Sequence, residues 1–224
     1  MFVGHFAVAL TAKKAAPKVS LGTLVLSTQF LDLLWPLFLI TGVEHVRIDP
    51  GNTAITPLDF YDYPISHSLL TVIGWGALVG TIYFAVRRHA RGAWILAAGV
   101  FSHWILDAIS HRPDMPLAPG LMKFVGLGLW NSVLASVIVE GLLFLTGVCI
   151  YARITSAVAW KGRFAYWAFV GALAFFWLVN IFGPPPPNVD AIGWVGLTVL
   201  IFVPWGYWID EHRAVRTGDA SAQA

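Results

Sequence analysis

Long apolar runs separated by short polar segments make up most of the chain. A helix rises 1.5 Å per residue, so it needs roughly 20 apolar residues to cross about 30 Å of hydrocarbon. Six runs reach that length, at residues 20–41, 66–87, 92–111, 131–152, 164–182 and 191–209. The run at residues 2–12 is too short, has no basic segment before it and shows no clear cleavage site, which argues against a signal peptide. The pattern predicts an all-α polytopic membrane helix bundle of about six transmembrane helices plus a short N-terminal half-helix.

The composition agrees with a membrane protein and narrows its chemistry. Hydrophobic residues make up 58% and charged residues 12% of the 224 positions, whereas soluble domains average about 25% charged. The single cysteine, Cys149, excludes an intramolecular disulfide framework and a cysteine-rich metal site, so histidines and carboxylates would have to bind any metal. The net charge of +2 comes from scattered basic residues. This argues against a nucleic-acid partner and leaves membrane lipids as the expected surroundings.

Basic residues predict the orientation of the bundle. Short cytoplasmic loops hold an excess of lysine and arginine. Lysine and arginine lie before the first span, in the loop between the second and third spans, in the loop between the fourth and fifth spans, and after the sixth span. We therefore expect a cytoplasmic C-terminus and extracytoplasmic loops at 42–65, 112–130 and 183–190. Residues 1–224 are expected to form one membrane domain, in which 1–152 carry the site and 153–224 form two apolar scaffold helices and a short polar cytoplasmic tail.

A few ionisable residues interrupt the apolar segments, and burying each of them in a bilayer costs free energy unless it is paired, hydrated or bound to a ligand. They are His5, Asp32, His67, His103, Asp107, His111 and Glu140. Counting 1.5 Å per residue from the nearest basic residue puts Asp32, His103, Asp107 and Glu140 at similar depths of roughly 18–24 Å. His67 comes out higher and His5 lower. We expect one shared site that opens to the extracytoplasmic side.

Local spacing indicates a metal-binding function for this site. His103 and Asp107 are four residues apart and share a helix face, as two ligands of zinc or a harder divalent ion would. A second carboxylate could complete the coordination or orient an imidazole. Pro36 is expected to kink the first span and turn Asp32 inward. The alternative is a histidine–aspartate hydrogen bond that only holds helices together.

Four stretches in order also carry a family resemblance: MFVGHFAVAL, STQFLDLLWPL, YPISHSLL and SHWILDAISHRPDMPL. Over residues 1–150 the chain resembles a bacterial family of inner-membrane-associated metal-dependent hydrolases, the LexA-binding inner-membrane hydrolase-like group. The resemblance implies a membrane hydrolase fold, a divalent metal and an inner-membrane location, but no particular substrate. The residues that match the family pattern are His5, Asp32, His67 with Ser68, and His103 with Asp107.

The leading hypothesis is metal-assisted hydrolysis of an amphiphilic or lipid-linked substrate, because the site lies at membrane depth. One divalent ion, zinc by preference, would bind the ligand set His5, His67, His103 and Asp107, with Asp32 as the alternative carboxylate. Asp32 or Glu140 would then act as general base or support a ligand. Arg112 would contact an anionic headgroup at the mouth, and His111 would contact substrate or be solvated.

Three other functions are compatible with the same residues. A transporter or proton relay would also place histidine and aspartate in the membrane, but the cytoplasmic half of the spans is apolar. A metal-free lipid phosphatase of the phosphatidic-acid phosphatase type would use His67, His103 and Asp107 in a similar order. That type needs an arginine shortly before the second histidine, and residues 95–102 contain no basic residue. The third possibility is a scaffold in which the polar residues fix helix register.

Overall fold

The secondary structure of the chain is mainly helical. The computed structural model describes residues 1–216, so the end of the predicted polar tail lies outside it. The helices are α1 Val3–Ala15, α2 Leu21–Thr28, α3 Phe30–Ile40, α4 Pro64–His67, α5 Leu69–Arg87, α6 Ala90–Ser110, α7 Val133–Ile154, α8 Trp160–Phe182, α9 Val189–Leu197 and α10 Phe202–His212. Three short antiparallel pairs are β1 His45–Ile48 with β2 Leu58–Asp62, β3 Met115–Pro116 with β4 Phe124–Val125, and β5 Thr155–Ala157 with β6 Arg213–Val215.

The long helices account for the predicted spans. Within residues 1–216, α5, α6, α7, α8 and the segment Val189–His212 are long and apolar enough to cross a membrane. That last segment contains α9, the 3-10 turn Thr198–Ile201 and α10. The helices α2 and α3 are together long and apolar enough as well, but they are bent by 54° at the break between them, so the spans in the described part of the chain number five, or six when this pair is counted as one broken span. The prediction of an all-α polytopic bundle is confirmed.

The bend in the first span corrects one expectation. The kink was expected at Pro36, but Pro36 lies inside α3, which continues to Ile40. The helix breaks instead at Gln29, between α2 and α3. Contacts with α6 explain the position: the Ser27 hydroxyl donates to the carbonyl of Leu96, and the Thr28 carbonyl accepts from a side chain of the same helix. Packing between helices, rather than proline, therefore determines where this span bends.

The half-helix α1 lies inside the bundle rather than on its surface. Its thirteen residues span about 20 Å, too little to cross a bilayer. It packs along α7, where a Cβ added at Gly147 would lie only 2.7 Å from the carbonyl oxygen of Ala7. Phe6 and Leu10 of α1 are fully buried in the main apolar core with Phe169 of α8. This close packing carries His5 into the interior.

A buried ion pair joins α1 to three other helices near the C-terminal end of α1. Lys13 donates to Asp210 Oδ2 and to the carbonyl of Val19, both at 2.8 Å. Asp210 also accepts from the backbone N–H of Leu21 at 2.6 Å and from the hydroxyl of Tyr151 at 3.1 Å. The side chains of Lys13 and Asp210 are 6% and 18% exposed. One carboxylate thus connects α1, α2, α7 and α10.

The opposite end of the bundle carries the β1–β2 hairpin, and we call it the hairpin end. A second apolar cluster there packs the hairpin against α3 and α9, and it contains Trp35, Leu39, Val46, Tyr63, Met115 and Ile192. The hairpin therefore covers the interior of the bundle at this end.

Candidate metal centre

Five ionisable side chains from four helices meet inside the bundle, and we call them the His/Asp cluster: His5 of α1, Asp32 of α3, His67 of α4, and His103 and Asp107 of α6. They form two overlapping triads, His5–His103–Asp107 and Asp32–His67–His103, each with one potential ligand atom per residue within 4.8 Å of the others. His103 belongs to both triads. The structure therefore brings together the residues from which the sequence predicts a ligand set, including His67, for which the depth count gives a higher position.

The donor atoms of the cluster lie close together. His103 Nε2 is 3.0 Å from Asp107 Oδ2 and 3.6 Å from Asp32 Oδ1. His67 Nε2 is 3.8 Å from Asp107 Oδ2 and 3.9 Å from Asp32 Oδ1. His5 Nε2 is 3.1 Å from Asp107 Oδ1, and its ring stacks on that of His103 with centroids 3.6 Å apart. Asp32 is the most accessible member, with 32% of its side chain exposed.

The tautomer of His103 follows from its backbone contact. Nδ1 lies 2.7 Å from the carbonyl oxygen of Thr28, which can only accept, so Nδ1 carries the hydrogen. In the neutral ring, Nε2 then presents a lone pair toward the carboxylates of Asp32 and Asp107. This nitrogen is buried and has no hydrogen-bond partner among residues 1–216. A lone pair that faces two carboxylates requires a cation between them, either a proton or a metal ion.

His67 is oriented by a chain of hydrogen bonds that the sequence did not reveal. The Ser66 hydroxyl donates its hydrogen to Glu44 Oε2 and lies 2.7 Å from His67 Nδ1. Because that hydrogen is already used, His67 Nδ1–H donates to the Ser66 oxygen. Glu44 Oε1 accepts from the backbone N–H groups of Ile65 and Ser66 at 2.7 and 2.8 Å. Burial raises the pKa of Glu44, and these hydrogen bonds oppose that effect. These hydrogen bonds engage His67 Nδ1, so Nε2 is the ring nitrogen that faces the cluster and could bind a metal. This arrangement is typical of metal-binding histidines.

The cluster fits a divalent ion by its donor chemistry. Imidazole nitrogens with carboxylate oxygens are ligands of zinc and of harder divalent metals. A cationic group, the Met1 amino group, also contacts the cluster: it donates to Asp107 and, at 3.2 Å, to Ser110 Oγ. That contact leaves the other oxygen of Asp107 near His103 and His67.

Glu140 lies outside both triads. Its side chain is buried on α7 and accepts from the backbone N–H of Phe2 at 3.1 Å, next to the first turn of α1. Helix N-termini leave backbone N–H groups without partners, so this carboxylate caps the start of α1. The predicted role of Glu140 as general base stays a prediction, while its observed contact holds α1 in place.

His111 is buried, and the expectation that solvent surrounds it is wrong. It is 4% exposed, because the rings of Trp130 and Phe60 cover it with centroids 4.4 and 4.8 Å away. Its Nδ1 lies 3.0 Å from Asp114 Oδ1, which also accepts from the hydroxyl of Tyr63 at 3.3 Å. Burial raises the pKa of Tyr63 well above its ordinary value, so this hydroxyl stays protonated.

Arg112 is held by two carboxylates at the hairpin end. Its guanidinium donates to Asp59 and, at 3.2 Å, to Asp114 Oδ2. Asp59 accepts from Arg47 as well. The predicted contact between Arg112 and an anionic substrate would therefore compete with these ion pairs.

A cavity of about 150 Å³ adjoins the cluster. Asp32, His67 and Asp107 form part of its wall, and the hairpin contributes Leu58 and Phe60. The remaining lining residues are Met1, Phe2, Trp35, Ile55, Thr56, Tyr63, His111, Trp130 and Asn180. A larger groove of about 340 Å³ between α5 and α6 has no ionisable side chain in its lining, so it offers no comparable chemistry.

Comparison with known proteins identifies a family. The family model described as YdjM inner membrane protein matches residues 62–184, more than half of the chain. The matched segment includes His67, His103 and Asp107, while His5 and Asp32 precede it. No curated protein and no solved structure matches the chain.

Proposed function

The chain belongs to the family of YdjM inner membrane proteins, and we propose that it is a membrane-embedded, metal-dependent hydrolase that acts on an amphiphilic or lipid-linked substrate. One observation carries the proposal: the Nε2 atoms of His67 and His103 face the carboxylates of Asp32 and Asp107, while both Nδ1 atoms are committed elsewhere. A divalent ion bound to the two imidazoles and Asp107 would satisfy these groups at once and would leave the Asp32 carboxylate beside it.

We assign the metal to His5, His67, His103 and Asp107. A divalent ion such as zinc would lower the pKa of a water molecule and polarise the scissile bond. Asp32 is the most exposed carboxylate of the cluster and lines the cavity, so it is suited to take a proton from the attacking water. The Ser66–Glu44 chain and the Thr28 carbonyl keep the two imidazoles in the tautomer that binds metal.

The surroundings of the cluster support an amphiphilic substrate. The site lies within a bundle of apolar spans, and most of the cavity wall beside it is apolar or aromatic. The distribution of lysine and arginine predicts that the hairpin end is extracytoplasmic. The substrate would therefore approach from the outer leaflet of the inner membrane.

A proton relay is less well supported than hydrolysis. The cluster reaches His5, and the other buried ionisable contact of α1 is Lys13 with Asp210. Between them the interior face of α1 presents Phe6 and Leu10, which are fully buried apolar side chains. A relay across the membrane would need polar groups along this stretch.

Metal analysis and hydrolysis assays test the proposal on protein purified in a maltoside detergent. We expect about one divalent ion per chain by elemental analysis, consistent with a single His/carboxylate site. We also expect metal-dependent hydrolysis within a panel of p-nitrophenyl carboxylate esters and phosphate diesters. A chelator should abolish the activity, and added zinc should restore it. Protein that contains no divalent metal and binds none on titration would contradict the proposal.

Ser66→Ala is expected to weaken metal binding without removing a ligand. The variant breaks the link between Glu44 and His67, and loss of a residue that only orients a ligand costs roughly 10- to 100-fold in metal affinity. Competition with a chromophoric chelator measures this affinity. Ser136→Ala is the matched control, because Ser136 is also buried and donates to the carbonyl of Leu129, outside the cluster. Equal affinities for the two variants would show that the Ser66 contact does not support metal binding.

A further inference from the structure

The charges that line the cavity beside the His/Asp cluster are unusual for a site that meets a lipid headgroup. Two carboxylates, Asp32 and Asp107, contribute to the wall, and no lysine or arginine does so among the lining residues. The nearby guanidinium of Arg112 is occupied by Asp59 and Asp114, and the Met1 amino group donates to Asp107. An anionic headgroup would therefore find no free side-chain cation in the cavity.

Aromatic rings form much of the remaining wall. The ring of Phe60 lies 5.3 Å from that of Trp35, 5.5 Å from Tyr63 and 6.4 Å from Trp130, measured between centroids. The three interplanar angles are 44°, 43° and 31°, so the rings are tilted relative to one another rather than stacked in parallel. Ring faces carry partial negative charge and attract cations, and quaternary ammonium groups are recognised by such aromatic surroundings.

The cavity has the size of a headgroup rather than of a whole amphiphile. Its volume is about 150 Å³, whereas sites that enclose a drug-sized ligand occupy roughly 300–1,000 Å³. A small group with methyl substituents would fill it and leave any acyl chains outside, toward the apolar surface of the spans.

We propose that this cavity binds the quaternary ammonium headgroup of a choline-type amphiphile, with the cation against Phe60, Trp35 and Trp130 and with Asp32, the carboxylate outside the assigned ligand set, beside it. The inference rests on the proposed function for one point only, namely that the bound headgroup belongs to the substrate. Binding itself requires neither a metal nor turnover.

Binding of choline and of its uncharged isostere, 3,3-dimethyl-1-butanol, tests the proposal. Calorimetry or tryptophan fluorescence on the full chain in maltoside should give choline an affinity at least about tenfold higher, because the two differ in charge and hardly in shape. Phe60→Leu and Trp35→Leu should each weaken choline binding by roughly 3- to 30-fold. Trp94→Leu is the control, since Trp94 is 77% exposed on α6 and does not line the cavity.

Several outcomes would overturn the proposal. They are equal or undetectable binding of choline and its isostere, tighter binding of glucose than of choline, and tighter binding of dihexanoyl phosphatidylglycerol than of dihexanoyl phosphatidylcholine. The comparison of ligands uses the unmodified chain, so it does not depend on how the variants fold. Metal content measured on the same sample separates the two proposals. Metal-free protein that binds choline more tightly than its isostere would support the headgroup proposal alone. Metal-bound protein that does not distinguish the two ligands would support only the hydrolase proposal.

Discussion

Replacement of His103 by glutamine is expected to remove the bound metal and the hydrolytic activity together. His103 is the residue that both triads of the cluster share, and its Nε2 lies near the carboxylates of Asp107 and Asp32. Loss of this ligand should lower metal affinity by more than the roughly 100-fold that loss of an orienting partner can cost. Glutamine keeps much of the side-chain volume, so the packing of α6 against α2 should survive. Elemental analysis and the chromogenic hydrolysis assay measure the two effects.

His45→Gln provides the matched control for that experiment. His45 lies in β1 of the hairpin, its side chain is 49% exposed, and its ion-pair partner is Asp62, outside the cluster. The control should keep both metal and activity. If His103→Gln retains as much metal as His45→Gln, the assigned ligand set is wrong.

Asp210→Ala is expected to give the largest loss of stability. The change leaves the buried ammonium of Lys13 without its carboxylate and also removes acceptors from Leu21 and Tyr151. Breaking a buried ion pair from one side typically costs about 3–5 kcal/mol, because the remaining charge stays buried without compensation. Thermal unfolding in detergent, followed by circular dichroism, should show a clearly lower midpoint.

Two variants distinguish this effect from a general sensitivity of α10. Glu211→Ala changes the exposed neighbouring carboxylate and should leave the midpoint nearly unchanged. The double variant Lys13→Met/Asp210→Leu removes both charges and should recover much of the lost stability. Equal midpoints for Asp210→Ala and Glu211→Ala would show that the ion pair does not stabilise the bundle.

Hydrophobic patterning predicted the spans, and the depth count put Asp32 level with His103 and Asp107. The same count put Glu140 at that level and His5 and His67 at other levels, whereas Glu140 lies outside the two triads and both histidines lie within them. Each long apolar run became a helix or a bent helix pair, because the length of an apolar helix is set by the thickness of the bilayer. His103 and Asp107 share a face of α6 through their four-residue spacing, and the depth count placed Asp32 beside them. Span length, helix face and depth all follow from the regular geometry of a single helix, so they can be predicted from residue positions in the sequence.

The sequence could not predict features that depend on contacts between distant segments. Glu44 reaches Ser66 across 22 residues and through the fold of the hairpin. The burial of His111 depends on Phe60 and Trp130, which approach it from the hairpin and from the turn before α7. The sequence around a loop residue does not show which distant side chain it will contact in the folded protein. Hydrophobic periodicity and residue spacing therefore cannot predict these contacts with the site.

The break at Gln29 sets a limit for protein engineering. A designer who wished to stabilise the first span would replace residues around Gln29 with strong helix formers and join α2 to α3 in one straight helix. The carbonyl of Thr28 would then accept from the backbone N–H four residues later, and it would turn away from His103 Nδ1. Straightening this span would therefore break the contacts with α6 that place the bend, and it would release the imidazole that both triads share.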